Sequence, residues 1–312
     1  MPSFIDFSHF TAAKNSFEGN PGLCNLFKFL SIETWKRLEF TYIKPKIKVF
    51  ETTLTQNIAF TISAYANEYP GLLIDIWEAD DESANGNDLE VVIVFSKYGF
   101  NFYAPVQAKK IYRNGHYYAM EHGDQIEKLI DYAEDEGGYP LYLLYNYVDP
   151  IPSNLNPENE LYGCSIIDAY YLHSHHYNAR IKKKRDGTRV PAWQIPHFDD
   201  LHPRHAFPWH ELVCDVSPSR LYERLLRISD MAQKIPPIDK DALSTESKKE
   251  SWKKYPGLIE KDALSYRGWF KSEDKEILSN KKDKYFRQME SQENYFKKDY
   301  VFNPQTRIVI TV

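Results

Sequence analysis

The stretch from residue 86 to residue 112 contains two apolar runs separated by a short polar segment. Residues Leu89–Phe95 and 100–106 are apolar at most positions, and a turn with Gly99 lies between them. Apolar runs of this length on either side of a turn predict a β-hairpin. Because residues 91–94 are apolar without interruption, we expect this hairpin to belong to a sheet that is buried on both faces.

Four polar side chains stand at the open end of the predicted hairpin. Asp88 and Glu90 are two residues apart, as are Gln107 and Lys109, so each pair faces one side of its strand. Antiparallel pairing brings the start of the first strand beside the end of the second. Two carboxylates, an amide and an amine would then converge, which suits a hard cation with a lysine next to it. Charged strand ends are also the ordinary solvated limits of a hairpin, and the spacing leaves both interpretations open.

The segments around the hairpin predict a mixture of helices and strands. Residues 50–67 carry Leu54, Ile58 and Ile62 at helical spacing, and residues 72–79 alternate as a strand. After the hairpin, residues 124–136 predict a helix that ends at two glycines, and residues 139–148 predict a buried strand. The predicted order is therefore α, β, β, β, α, β.

Outside this block the pattern is less regular. Residues 23–38 predict a helix, residues 165–172 predict one more strand or helix, and residues 218–234 predict a helix with an apolar side. Residues 236–300 are charged with few aromatics, and we expect helices with thin apolar faces there. The terminal residues 307–312 predict a short strand added to an existing sheet.

Composition describes a globular chain and excludes several classes. Hydrophobic residues make up 42% of the 312 residues, which is typical of a packed core rather than of disorder. No run approaches 18 apolar residues and residues 1–10 do not read as a secretory signal, so we expect no membrane partner and a cytoplasmic protein. The net charge of −5 provides no global attraction for nucleic acid, so a binding surface must be a local patch.

The cysteines and histidines offer weak metal signals. Cys24, Cys164 and Cys214 are odd in number and widely spaced, which favours reduced thiols. Seven histidines between residues 173 and 210 match no standard zinc spacing, and we expect them to be structural.

The sequence of residues 45–170 resembles that of the PD-(D/E)xK nuclease superfamily. The resemblance lies in D-x-E at Asp88 and Glu90, followed by a second strand that ends in Q-x-K at Gln107 and Lys109, the variant with glutamine in place of the last acid. Residues 78–110, with PLYLLYN and YGCSIIDA further on, also look like an uncharacterised bacterial family with GADWEW-like and QAK motifs. The resemblance implies a restriction-endonuclease-like core, whose element order agrees with the one predicted above.

The resemblance also implies roles for individual residues. Glu51, Asp88 and Gln107 would hold Mg²⁺ or Mn²⁺, with the Gln107 amide as a neutral ligand, and Glu90 would be a further candidate. Lys109 would act on the attacking water and on the charge that develops in the transition state. Gln125 would position groups from the following helix, and Glu78 is a lesser candidate on the preceding strand.

Two basic segments are candidates for contact with nucleic acid. Lys110 and Arg113 follow the hairpin in a basic turn. Residues 180–189 form a denser basic segment that includes Lys182, Lys183, Lys184 and Arg185. Such a run is either a solvated loop or an arm that contacts phosphates, and its sequence supports each interpretation equally.

These observations predict an α/β protein with an N-terminal helical extension over residues 1–44, a nuclease core over 45–175, and a basic loop and largely helical region over 176–312. The implied function is metal-dependent cleavage of nucleic acid, DNA more than RNA, by an anti-phage defence effector that is monomeric or a homo-oligomer. The alternative is an inactive nuclease fold that serves as a binding or scaffold protein.

Overall fold

A computed structural model describes thirteen ranges of the chain. The described residues are 21–68, 74–78, 88–95, 100–121, 125–135, 138–153, 155, 158–177, 180–183, 189–214, 218–228, 269–271 and 306–311. Their α-helices are α1 (Pro21–Ile43), α2 (Glu51–Glu68), α3 (Gln125–Asp135), α4 (Ala169–Leu172), α5 (Phe198–Leu201) and α6 (Pro218–Ile228). Their strands are β1 (Ile74–Glu78), β2 (Leu89–Phe95), β3 (Phe100–Lys110), β4 (Leu141–Tyr145), β5 (Cys164–Asp168), β6 (Arg180–Lys183), β7 (Arg189–Ala192), β8 (Ala206–Pro208), β9 (Trp269–Lys271) and β10 (Thr306–Thr311).

One mixed sheet organises the described chain. Its strand order is β1-β10-β2-β3-β4-β5-β8, and β9 pairs with the first residues of β3. Strand β3 is antiparallel to β2 and parallel to β4. Elements α2 to β4 follow one another as α, β, β, β, α, β, so the predicted order is confirmed and the protein is a mixed α/β protein.

The core continues from the sheet into helix α1. Residues 91–93 and 102–109 are buried on both faces of the hairpin, as its uninterrupted apolar runs predict. From α1, Phe27 packs its ring 4.3 Å from that of Trp209, and the Phe27 carbonyl accepts a hydrogen bond from the Trp209 indole at 3.0 Å. Helix α1 therefore shares its apolar core with the strands.

The cysteine prediction is wrong for two of the three residues. Cys24 of α1 and Cys214 form a disulfide with their Cα atoms 4.7 Å apart, and Cys164 is a buried free thiol. The partners are 190 residues apart in sequence and meet because α1 packs against the Trp209–Leu212 turn. Spacing along the chain could not reveal that contact.

Three further predictions concern the second half of the chain, and two of them need correction. Strand β9 lies at Trp269–Lys271, where helices were expected; the other residues of 236–300 lie outside the described ranges. The predicted addition of a terminal strand to the sheet is confirmed, and β10 lies between β1 and β2. The described part of 176–312 contains five strands beside two α-helices, so it is not largely helical.

The described helices include none that is long and apolar enough to cross a membrane.

Candidate active site

Strand β3 extends beyond the start of its antiparallel partner. The pairing of β2 with β3 begins at Leu89 opposite Val106, whereas β3 continues to Lys110 because β4 pairs with it on the other side. The sequence predicted a second strand that ends in Gln107 and Lys109, and the strand reaches one residue further. The longer strand leaves the backbone N–H groups of Ala108 and Lys110 on the edge that β2 no longer covers, since alternate N–H groups of a strand point to the same edge.

Two carboxylates accept hydrogen bonds from those N–H groups. The Ala108 N–H donates to Asp88 Oδ2 at 2.7 Å, and the Lys110 N–H donates to Glu51 Oε2 at 2.7 Å. Donors two residues apart in a strand are separated by roughly 7 Å. The strand edge therefore places the two carboxylates side by side at a spacing that one metal-water cluster can span.

Gln107 and Lys109 add an amide and an ammonium to this row. The Gln107 side-chain amide donates to Asp88 Oδ2, and Lys109 Nζ lies 3.4 Å from Glu51 Oε1. Lys109 is only 4% exposed. A buried ammonium is costly unless it is paired, and Glu51 provides the opposite charge. We name these four residues, Glu51, Asp88, Gln107 and Lys109, the strand-end cluster.

Helix α2 fixes the position of Glu51. Glu51 is the first residue of α2, where the helix dipole favours a negative charge. One turn later the Thr55 hydroxyl donates to the Glu51 carbonyl at 3.2 Å and forms a hydrogen bond with the Tyr145 hydroxyl at 2.8 Å. The first turn of α2 is thereby attached to β4, next to β3.

Tyr142 is a neighbour of the cluster that the sequence did not identify. It lies opposite Gln107 in the pairing of β3 with β4 and is 1% exposed. Burial raises the pKa of Tyr142 well above its ordinary value, and the charges of Asp88 and Glu51 raise it further. Tyr142 is therefore a neutral hydroxyl near two carboxylates. Within the apolar run of β4 no sequence signal distinguishes it.

Glu90 has different surroundings from Asp88. Its Oε1 accepts hydrogen bonds from the Tyr103 hydroxyl at 2.8 Å and from the Tyr132 hydroxyl of α3 at 2.5 Å. Glu90 is 0% exposed. The structure therefore places this carboxylate in a tyrosine pocket, formed by Glu90, Tyr103 and Tyr132, rather than in the hydrogen bonds of the strand-end cluster.

Two other predicted residues lie apart from these hydrogen bonds. Gln125 is the first residue of α3, and its buried side-chain oxygen has no hydrogen-bond partner among the described residues. Glu78 ends β1, and β10 and β2 lie between β1 and β3. Three strand spacings put the Glu78 backbone roughly 14 Å from β3.

The residues of the basic turn have structural contacts. Lys110 Nζ donates to the Val49 carbonyl at 2.5 Å, and burial lowers the pKa of Lys110, an effect that Glu51 partly offsets. The Arg113 guanidinium donates to the carbonyls of Thr41, at 2.8 Å, and Tyr42 in the last turn of α1. Both side chains therefore attach the end of α1 and the following segment to the end of β3.

The second basic segment forms a hairpin as far as it is described. Strand β6, which includes Lys182 and Lys183, pairs with β7. Lys184 and Arg185 lie outside the described residues.

The histidines lie among aromatic rings. His202 stacks on Phe198 with ring centroids 4.1 Å apart, and His205 stacks on Tyr171 at 4.2 Å. Burial lowers the pKa of His202 and of His210 to about 3 in each case, so both are neutral at physiological pH. Within the described ranges no group of three or more His, Cys, Asp or Glu side chains is arranged to hold a metal.

The donor set of the strand-end cluster fits magnesium or manganese better than zinc. It offers two carboxylates and one amide oxygen, with no sulfur or imidazole among the hydrogen-bonded groups. Mg²⁺ accepts one or two carboxylates and keeps several waters, whereas structural zinc requires nitrogen or sulfur ligands. With no third acid in the cluster, the metal would be held weakly.

Comparison with known proteins gives one finding. The model of DUF6615, a family of unknown function, matches residues 23–284, which include the strand-end cluster and the tyrosine pocket. No curated protein and no solved structure matches the chain.

Proposed function

Since the chain belongs to this family of unknown function, DUF6615, we propose an activity from the site itself: metal-dependent hydrolysis of phosphodiester bonds in nucleic acid, in DNA more than in RNA. The observation that carries the proposal is the row of Glu51 and Asp88 on the edge of β3 with the buried Lys109 beside it. The element order from α2 to β4 supports a restriction-endonuclease-like core.

The chain's own residues would bind the metal and orient it. Glu51, Asp88 and the Gln107 amide oxygen would hold Mg²⁺ or Mn²⁺, which would neutralise charge on the scissile phosphate and lower the pKa of the attacking water. The backbone N–H groups of Ala108 and Lys110 hold the two carboxylates in fixed positions. Such preorganisation keeps the ligands from having to rearrange when the metal binds.

Lys109 would supply the positive charge for the reaction. Its ammonium lies 3.4 Å from Glu51, on the side of β3 that also carries Gln107. From there it would donate a hydrogen bond to the attacking water or to a phosphate oxygen as negative charge develops. Burial strengthens this effect because little water is present to screen the ammonium.

The alternative is an inactive fold that serves as a binding or scaffold protein. The observation in its favour is that the cluster is satisfied by the protein alone. Asp88 accepts from a backbone N–H and an amide, and Glu51 accepts from a backbone N–H and an ammonium. Such contacts would stabilise, without a metal, the end of β3 that β2 does not cover.

One experiment separates the two. The purified parent and Asp88→Ala would be assayed for cleavage of supercoiled plasmid with Mg²⁺, Mn²⁺ or EDTA, and for Mn²⁺ binding by calorimetry. The proposal predicts metal-dependent cleavage by the parent and loss of both properties in Asp88→Ala. Asp131→Ala, the same change at an exposed position of α3, is the matched control and should behave like the parent.

The results of this experiment distinguish a nuclease from a scaffold protein. No cleavage of the plasmid by the parent with Mg²⁺ or Mn²⁺ would favour the scaffold. Equal metal binding by Asp88→Ala and the parent would reject the site assignment, even if cleavage were observed. A cytoplasmic defence effector against phage is the biological setting we propose, by analogy with nucleases of this type.

A further inference from the structure

A groove lies directly beside the strand-end cluster. It has a volume of about 420 Å³ and runs between the end of α1, the segment 45–50 and residues 110–113 after β3. Phe50 and Lys110 line the groove, and the Lys110 backbone N–H donates to Glu51 Oε2, so the groove adjoins the Glu51 end of the cluster. We name it the α1–β3 groove.

The walls of the groove are held in place by hydrogen bonds. Arg113 attaches the last turn of α1 to the end of β3 through the Thr41 and Tyr42 carbonyls. Lys110 attaches the opposite wall through the Val49 carbonyl at 2.5 Å. These contacts make the groove a feature of the folded protein that needs no partner to form.

The surface of the groove combines exposed aromatic rings with lysines. Phe50 is 64% exposed and Tyr112 is 45% exposed. Lys48 lines the groove, and Lys44 and Lys46 are exposed on the same segment, 44–50, which reads KPKIKVF. Exposed aromatic rings mark interaction sites when they adjoin one another and are bordered by polar groups. In a chain of net charge −5, this local positive charge selects an anionic partner.

We propose that the α1–β3 groove binds a single-stranded segment of nucleic acid and leads it to the strand-end cluster. An unpaired base would stack on Phe50 or Tyr112, while phosphates would follow Lys44, Lys46 and Lys48. A single strand is favoured over a duplex because the faces of bases are available for stacking on protein rings only when the bases are unpaired. The inference rests on the proposed function for its substrate class, and it adds the strandedness of that substrate.

The test is binding without metal, so that it does not depend on cleavage. Fluorescence anisotropy in EDTA would compare a labelled 20-nucleotide single strand with a 20-base-pair duplex on the full chain. The parent should bind the single strand more tightly. Phe50→Ala should weaken that binding by about 10-fold, the effect of one lost stacking contact, whereas Phe50→Trp should retain it with quenching of the new tryptophan.

Matched controls come from the two helices, α1 and α2, on either side of the segment 44–50. Phe60→Ala removes an equally exposed ring, 62% exposed, from α2 outside the groove and should leave binding unchanged. The triple change of Lys44, Lys46 and Lys48 to Ala should reduce the slope of log affinity against log salt by about 2. Lys36→Ala, at an exposed position of α1, should leave the slope as it is in the parent. Circular dichroism of each variant checks its fold.

Several results would overturn the inference: tighter binding of the duplex, no effect of Phe50→Ala on a folded protein, or equal competition by polyglutamate or anionic vesicles. Its failure is distinguishable from that of the proposed function. Strand binding that depends on Phe50 without any cleavage would retain the groove and reject the nuclease. If the parent cleaved in a metal-dependent manner and Phe50→Ala bound the strand like the parent, the nuclease proposal would stand and the groove proposal would be rejected.

Discussion

Asp88 and Glu90 are two residues apart at the start of one strand, yet the fold gives their carboxylates opposite surroundings. Asp88 accepts from a backbone N–H and from Gln107, in a row that also contains Glu51 and Lys109. Glu90 accepts from two tyrosine hydroxyls inside the sheet-helix interface. The comparison shows that two-residue spacing determines the face of a strand, whereas the neighbouring elements determine what a carboxylate can do.

The surroundings imply different roles. In the strand-end cluster, carboxylates, an amide and an ammonium lie at the end of a strand beside a groove. In the tyrosine pocket, phenol hydroxyls hold a carboxylate that is 0% exposed. We therefore assign chemistry to the first region and stability to the second. Three predictions test this division.

The largest expected effect is the fall in cleavage rate that the substitution Lys109→Ala causes. Removing the ammonium should lower the cleavage rate by about 10³-fold, because no other group replaces its action on the water and the developing charge. Single-turnover cleavage and Mn²⁺ calorimetry would measure the rate and the metal affinity separately. Metal binding should persist, and Lys36→Ala should cleave like the parent. A fall of less than about tenfold in cleavage would remove Lys109 from the chemistry.

The second largest effect is the loss of stability that the substitution Glu90→Ala causes. The change removes the carboxylate that accepts from the buried Tyr103 hydroxyl and the half-buried Tyr132 hydroxyl, and should lower the free energy of unfolding by about 3 kcal/mol. Tyr132→Phe, which removes one of the two hydrogen bonds, should lower it by about 1 kcal/mol. Urea unfolding measures both. If Glu90→Ala instead kept its stability and lost cleavage as fully as Asp88→Ala, the two regions would have to be joined into one site.

The smallest effect is the change in Mg²⁺ affinity that the substitution Gln107→Glu causes. A second charge beside Asp88 should destabilise the metal-free protein and tighten Mg²⁺ binding by about tenfold. Thermal unfolding with EDTA and with Mg²⁺ would show a lower midpoint that the metal restores. Gln56→Glu, at an exposed position of α2, should show neither change. A lowered midpoint that Mg²⁺ does not restore would mean that Gln107 only supports Asp88.

The sequence predicted the local parts of this arrangement because they depend on periodicity within one strand or helix. It placed Asp88 opposite Gln107 in a hairpin, and it found α2 and α3 within a few residues of their ends. It missed whatever depends on distant pairing. The parallel pairing of β3 with β4 joins separate segments, and the distance of Glu78 from the cluster results from β10.

The same limit explains the groove and the disulfide. Lys48 lies in the groove with residues 110–113, where Lys110 attaches the segment 44–50 through Val49 and Arg113 attaches the end of α1. Cys24 and Cys214 meet only when α1 packs on the residues that follow β8. No regularity along the chain encodes a contact that two separate segments make after folding.

The position of β10 has a consequence for the order of synthesis. Residues Thr306–Thr311 form the strand that lies between β1 and β2, so one edge of β2 cannot be paired until these residues have been synthesised. A ribosome adds about 5–20 residues per second, so about 210 residues separate the two strands by roughly ten to forty seconds. During that interval the edge of β2 is an unpaired template for other chains. A nascent chain therefore has no finished sheet, and a product that stops short of residue 306 would keep the edge open permanently.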